Sequence, residues 1–448
     1  MAQKTAYTTS TAGVAPAHFV IEGGRKLKGS IAVNASKNGA VVLLCASLLN
    51  RGMTVLKNMP HIEEVHRLIE VLHSIGVKTT WRGSTLTITP PQRLSLSKMD
   101  EGAAKKTRSI LMFIGPLLHL FRDFSIPQSG GCKLGSRTVR PHFFALERFG
   151  VSIETRADVW RVRHAGLKPA EVIMYESGDT ATENALMAAA LIPGKTVIKY
   201  ASANYMVQDL CHFLGACGVK IDGIGTTTLT VHGARHIKKK VTCAISEDPT
   251  DAMFFIAAAL VTKSRLLIKR CPIEFLELEL LTLEKMRARF RIVRRYLGAN
   301  KRVRLADILL LPSTLVAPPE KVAARPYPGL NIDNLPFFAV IATQAEGETL
   351  IHDWVYEKRA LYYTELEKLG AEVALADPHR VFIKGKTPLR AAELVCPPAL
   401  RPATILFIGM LGAKGRSVLR NVYSISRGYE DLVTKLQKLG ADVEPLDE

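Results

Sequence analysis

The stretch SGGCKLGSR, residues 129–137, sets Cys132 between a glycine pair and a Gly-x-Arg. A free thiol titrates near ~8.5, and neighbouring cations favour its thiolate, so Cys132 beside Lys133 and Arg137 is a candidate proton donor or nucleophile. Most cysteines of this kind are packing residues, but a packing cysteine rarely sits among so many glycines, which favours a chemical role. The spacing matches neither a dinucleotide fingerprint nor a P-loop, because no Gly-x-Gly-x-x-Gly opens a helix and no Gly-Lys-Ser/Thr follows.

A second group gathers around NASKNGAVVLLCASLLN, which places Lys37 and Asn38 where a strand-like GSIAVN turns into a buried helix. A helix N-terminus carries unpaired N–H groups and positive potential, so a lysine there suits a phosphate or carboxylate. The plainer alternative is a cap by Ser36 or Asn38 with a solvated lysine. Arg108 in KKTRSILM, Arg401 in PPALRPAT and Arg427 in SISRGYEDL stand at element boundaries. Guanidinium forks fit phosphate and carboxylate, although a lone arginine is usually a surface residue. Asp333 in YPGLNIDNLPFF is either a helix-capping carboxylate or a base.

The elements that must carry these residues recur. VLHSIGVKTT, ALERFGVSIE, FLGACGVKID, ELEKLGAEVA and KLQKLGADVE each read as a helix ending at a glycine and turning into a short alternating strand. The glycines are Gly76, Gly150, Gly218, Gly370 and Gly440; LEKMRARFRI fits the same template with Arg287 at the glycine position. Six units at a spacing of roughly 70 to 80 residues indicate a duplicated architecture. They suggest two α/β domains of three units with a ligand cleft between them, and cations from both halves would repel across an empty cleft. The same register puts Arg289, Phe290, Arg291 and Ile292 on a strand, turns at LGAN, and returns through KRVRLADILLL.

The chain has 448 residues, 47% of them apolar, and a formal charge of +19. That charge implies an anionic partner, and the run 284–305 looks at first like a nucleic-acid surface. Its arginines alternate with core-facing residues, which favours a solvated strand face instead. The leader MAQKTAYTTSTAGVAPAHF has no apolar core of signal-peptide length, so residues 1–18 read as a loose tail and the location as cytoplasmic. The longest apolar runs fall far short of the ~20 residues that span a bilayer. Seven cysteines lack disulfide or zinc spacing, and Cys211, His212 and Cys217 read as core packing.

Together these segments resemble the enolpyruvyl transferases. The likeness runs from GSIAVNASKNGA through RSILMFIGPL, GGCKLGSRTV, ATENALMAAAL and NIDNLPFF to SRGYEDL. The Lys-Asn pair and the cysteine loop resemble the branch that acts on a nucleotide sugar; the shikimate-pathway sister lacks that loop. The resemblance implies a two-domain inside-out α/β barrel with the active site in the cleft, residues 37–245 forming one domain and 1–36 with 246–448 the other. It implies transfer of the enolpyruvyl group of phosphoenolpyruvate to the 3′-hydroxyl of UDP-N-acetylglucosamine, the first committed step of peptidoglycan precursor synthesis. It also implies a monomer that uses no metal or organic cofactor and engages neither nucleic acid nor membrane. Acceptors other than this sugar nucleotide, such as 3-phosphoshikimate, and a non-catalytic binding role remain the alternatives.

By residue-to-motif matching, the resemblance makes Cys132 the proton donor, gives phosphate to Lys37 and Arg137, and gives the carboxylate to Arg401 and Arg427. Asp333 would take the hydroxyl proton. Asn38, Arg108, Arg137, Thr138, Val139 and Arg140 would line the nucleotide-sugar site, with Ser177, Gly178 and Val355. Two positions depart from the pattern: Ala399 stands where an aspartate is expected two residues before Arg401, and Arg140 replaces another acid.

Overall fold

The computed structural model describes residues 17–128 and 138–446. Cys132, Arg137 and most of the leader lie outside that range. The strand His18–Gly23 begins inside the stretch read as a tail, because its backbone is paired on both edges, by Gly415–Arg420 and by Asp442–Leu446.

Helices buried on every face dictate the architecture. All thirteen residues of Pro249–Val261 and all eight of Leu335–Ala342 are buried. A helix that is apolar all round must be covered on every side. The chain achieves this by placing such helices inside and sheets outside. Among the described residues there are six sheets, one for each repeated unit.

The buried side chains form two clusters. One draws on residues between Ala40 and Ile245, with Phe275, Val303 and Leu305 added from further along. The other joins Phe19–Val33 to residues between Ala252 and Val443. Two segments cross between them. Ser30–Ala32 pairs in parallel with Leu266–Pro272, while Val241–Ala244 pairs in parallel with Thr54–Lys57, so each crossing strand completes a sheet of one cluster. Beyond these strands the crossings touch as a short antiparallel ribbon: Ala35 bridges Glu247, and Ser36 and Asp248 donate to the carbonyls of Ser246 and Asn34, each at 2.8 Å.

The repeat signature reads directly onto the backbone. Gly76, Gly150, Gly218, Gly370 and Gly440 all adopt left-handed φ between +85° and +103°, and Arg287 takes +60° at the equivalent place. Arg287 bears a cost of about 1 kcal/mol for a Cβ in that region. The basic hairpin forms as Arg289–Leu297 and Arg304–Leu311, with the turn extended to Val303. Arg289 and Arg291 are exposed, while Phe290 and Ile292 pack against the second cluster. A bulge between Ile292 and Arg294 then turns Tyr296 onto the first.

Candidate active site

Ser36 caps the helix Lys37–Ala46 by accepting from the Gly39 N–H at 2.9 Å. This settles the capping alternative and leaves the Lys37 and Asn38 side chains for other work. The Lys37 N–H donates to Asp248 Oδ2 at 3.3 Å, and Asp248 in turn caps Pro249–Val261 through the Thr250 N–H. Two repeat-related helix starts therefore meet where the chain crosses between clusters. Asn38 Nδ2 lies 3.5 Å from the hydroxyl of buried Tyr205.

Beside these helix starts is a cavity of about 480 Å³ whose walls come from both clusters. Lys37, Asn38 and Arg108 line it from the first, and Asp333, Arg401 and Arg427 from the second. Ser177, Gly178 and Val355 also face it. Thr138, Val139 and Arg140 are not among its lining residues; Thr138 adjoins it by accepting from Arg108 Nη2 at 2.9 Å. Arg140 opens the helix Arg140–Glu147 and is exposed. A larger cavity of about 590 Å³, walled by Leu94, Phe121 and Val159 among others, contains none of these residues.

Arg401 and Arg427 each meet a carboxylate. Arg401, 7% exposed, places Nη2 3.2 Å from Asp333 Oδ2 and Nη1 3.5 Å from the Tyr429 hydroxyl. Asp333 is thus not the helix cap: Asn334 occupies that position before Leu335–Ala342. Burial raises the Asp333 pKa, but the charges of Arg401, Arg359 and Lys37 outweigh it and hold the carboxyl well below the usual range. Arg427 Nη2 reaches Glu64 Oε2 at 2.8 Å. The expected repulsion between cations across the cleft is therefore offset by carboxylates already in place.

The sequence did not single out Glu64, Arg359 or Glu183. Glu64 is buried and also accepts from Thr107 and from Ser109 Oγ, the latter at 3.0 Å. Burial works against its charge, yet Lys37, Arg427 and the Thr107 hydroxyl lower its pKa. Arg359, 1% exposed, binds Asp353 at 3.1 Å and donates to the Ile332 carbonyl at 2.8 Å, which fixes the backbone next to Asp333. Glu183 lines the cavity, and its Oε1 has no hydrogen-bond partner among the described residues. Burial, reinforced by Asp179 and Asp209, pushes its carboxyl well up. Nothing local in the sequence marked any of the three.

Ala399 begins the helix Leu400–Gly412 with no side-chain cap and is fully buried. Cys211 and Cys217 are packed in the first cluster, and burial pushes both thiols up to about 12, which makes them inert. No described helix is long and apolar enough to cross a membrane.

The arrangement can neutralise a multiply charged anion and present a carboxylate as proton acceptor. Comparison with known proteins narrows the chemistry. Residues 21–436 match the family described as EPSP synthase (3-phosphoshikimate 1-carboxyvinyltransferase). A UDP-N-acetylglucosamine 1-carboxyvinyltransferase of Bradyrhizobium diazoefficiens is 32% identical over 435 residues, 97% of this chain and 99% of the relative. One from Treponema denticola is 32% identical over 429 residues, 95% and 98% of the two chains. Among solved structures, the enolpyruvyl transferase NikO from Streptomyces tendae superposes with a TM-score of 0.81 at 24% identity, covering 96% of this chain and 99% of its own, which establishes a shared fold.

Proposed function

The chain belongs to the EPSP synthase family, and on that premise we propose that it transfers the enolpyruvyl group of phosphoenolpyruvate to the 3′-hydroxyl of UDP-N-acetylglucosamine, releasing phosphate in the first committed step of peptidoglycan precursor synthesis. The observation that carries this reading is the convergence of Lys37, Asp333, Arg401 and Arg427, from both halves of the chain, on one cavity. The relatives' names favour the sugar nucleotide as acceptor.

In this reaction the sugar oxygen adds to C2 of phosphoenolpyruvate as C3 gains a proton; phosphate then leaves as C3 gives that proton up. Cys132 supplies the proton to C3. Lys37 and Arg137 take the phosphate, and Arg401 and Arg427 the carboxylate. Asp333 accepts the hydroxyl proton. Locked to Arg401, it is a weak base; a substrate carboxylate that engages Arg401 loosens this pair and raises Asp333 towards a useful basicity. Asn38, Arg108, the 137–140 segment, Ser177, Gly178 and Val355 hold the nucleotide sugar. The protein works as a monomer in the cytoplasm, without metal, organic cofactor, nucleic acid or membrane.

The family description names 3-phosphoshikimate, which makes it the second acceptor to weigh. Incubation with phosphoenolpyruvate and each acceptor, followed by mass spectrometry, separates the two. The reading requires enolpyruvyl addition to UDP-N-acetylglucosamine; addition to 3-phosphoshikimate alone would replace it.

A further inference from the structure

The strands Glu171–Ile173 and Gly194–Lys199 run side by side in parallel, with Ile173 opposite Lys199, and the Met174 N–H donates to the Lys199 carbonyl at 3.0 Å. Tyr175 and Tyr200 follow directly, so both leave the sheet at the same end. Both line the cavity while remaining 73% and 50% exposed. Neither hydroxyl has a hydrogen bond among the described residues. Tyr200 holds φ at +57°, a conformation that disfavours a residue with a Cβ. Strain of this kind tends to be kept where it places a working side chain. Phe144 braces Tyr175 edge-on, with ring centres 5.5 Å apart. Trp354 also lines the cavity, is 47% exposed and is fixed by an indole hydrogen bond to the Ala324 carbonyl.

Two large rings held open to water at a cavity mouth are matched to a flat, polarisable ligand. Such rings stack on any nucleobase, because every base presents a π-face. The helix Asp179–Ala189 starts four residues after Tyr175, with Gly178 as its first cap. A nucleotide whose base rested on the tyrosines would place its phosphates within the cavity that Arg108 also lines.

We propose that Tyr175 and Tyr200 form the platform on which the base of the acceptor nucleotide stacks, and that they set affinity for the nucleotide half of the acceptor. The inference rests on the transferase reading above and adds the residues that recognise the base.

The test compares wild type with Tyr175→Ala, Tyr200→Ala and Tyr175→Phe. Both alanine variants are expected to raise the KM for UDP-N-acetylglucosamine about tenfold or more, the usual consequence of losing one aromatic partner of a base. Their kcat and their KM for phosphoenolpyruvate should stay within about twofold, and Tyr175→Phe should behave as wild type because it keeps the ring. With N-acetylglucosamine 1-phosphate, which lacks the base, alanine variants and wild type should be alike. An unchanged KM for the sugar nucleotide in both alanine variants, or an equal loss with N-acetylglucosamine 1-phosphate, overturns the platform. Calorimetric titration with uridine 5′-monophosphate needs no turnover, so it decides the platform even if the transferase reading fails: weaker binding in the alanine variants upholds it, and equal binding refutes it.

Discussion

Glu64 and Arg427, 363 residues apart in sequence and on opposite sides of the cleft, meet at 2.8 Å. Beside them the His61 N–H donates to Glu430 at 3.0 Å. The two contacts latch the start of Glu63–Ser74 onto the loop around residues 427–430. They bring a proposed substrate-binding arginine under the control of a carboxylate from the other half.

Replacing Glu64 by leucine should therefore loosen the cleft as well as destabilise the protein. Removing one partner of a buried ion pair leaves an uncompensated charge and costs about 3 kcal/mol. Chemical denaturation should register that loss. Small-angle scattering of the folded variant should show a larger radius of gyration than wild type; an unchanged radius would mean that the latch does not hold the halves together.

The Asp333–Arg401 pair makes a kinetic prediction. In the free enzyme Asp333 ionises below the usual carboxylate range, so the acid limb that it contributes to kcat/KM lies below about pH 4. Once substrate draws Arg401 away, the corresponding limb in kcat should move to higher pH. Paired pH profiles check this, and a limb in kcat at or below that in kcat/KM would contradict the proposed exchange of partners.

The crossing ribbon carries a pH dependence of its own. Buried Asp209 accepts from the N–H and Oγ of Ser246 at 3.1 and 2.6 Å, and buried Asp251 accepts from the Asn34 N–H at 2.8 Å. Burial raises both carboxyls to about 6. They hold protons in the folded state that the unfolded chain, titrating near ~3.9, has released. Folding thus takes up protons between roughly pH 4 and pH 6, and these two groups make the protein less stable as pH rises through that window. Glu64 and Asp333, whose values are lowered, act oppositely and lose their contribution as pH falls below about 4. Asp209→Asn should flatten the change in melting temperature between roughly pH 4 and pH 6; a slope identical to wild type would remove Asp209 from the account.

Features set by neighbours along the chain were readable before any coordinates. The helix-ending glycines, Arg287 in their company, the cap at Ser36 and the outward arginines of the hairpin all follow from local backbone and pattern rules. Lys37, Arg401 and Arg427 could be placed at element boundaries in the same way. Their electrostatic state could not, because Glu64 reaches Arg427 and Asp333 reaches Arg401 only through the fold. Arg359 stayed hidden for a related reason: nothing in VYEKRALYY distinguishes a guanidinium buried against Asp353 from one in water. Glu183 resembles an ordinary helical glutamate until its burial is known.

Cys132 lies outside the described residues, and its role is tested by chemistry alone. A proton donor can be replaced by a carboxylic acid that a desolvated site keeps protonated, but not by a serine hydroxyl. Cys132→Asp should retain a substantial part of the turnover and Cys132→Ser almost none. Full activity in the serine variant would remove the acid role.

Phosphate release from phosphoenolpyruvate tests the central claim most directly. Wild-type protein should release phosphate continuously when UDP-N-acetylglucosamine is present and only at background rate without it, and 3-phosphoshikimate should not substitute. Background release with UDP-N-acetylglucosamine at saturating phosphoenolpyruvate, or release supported by 3-phosphoshikimate instead, would contradict the account.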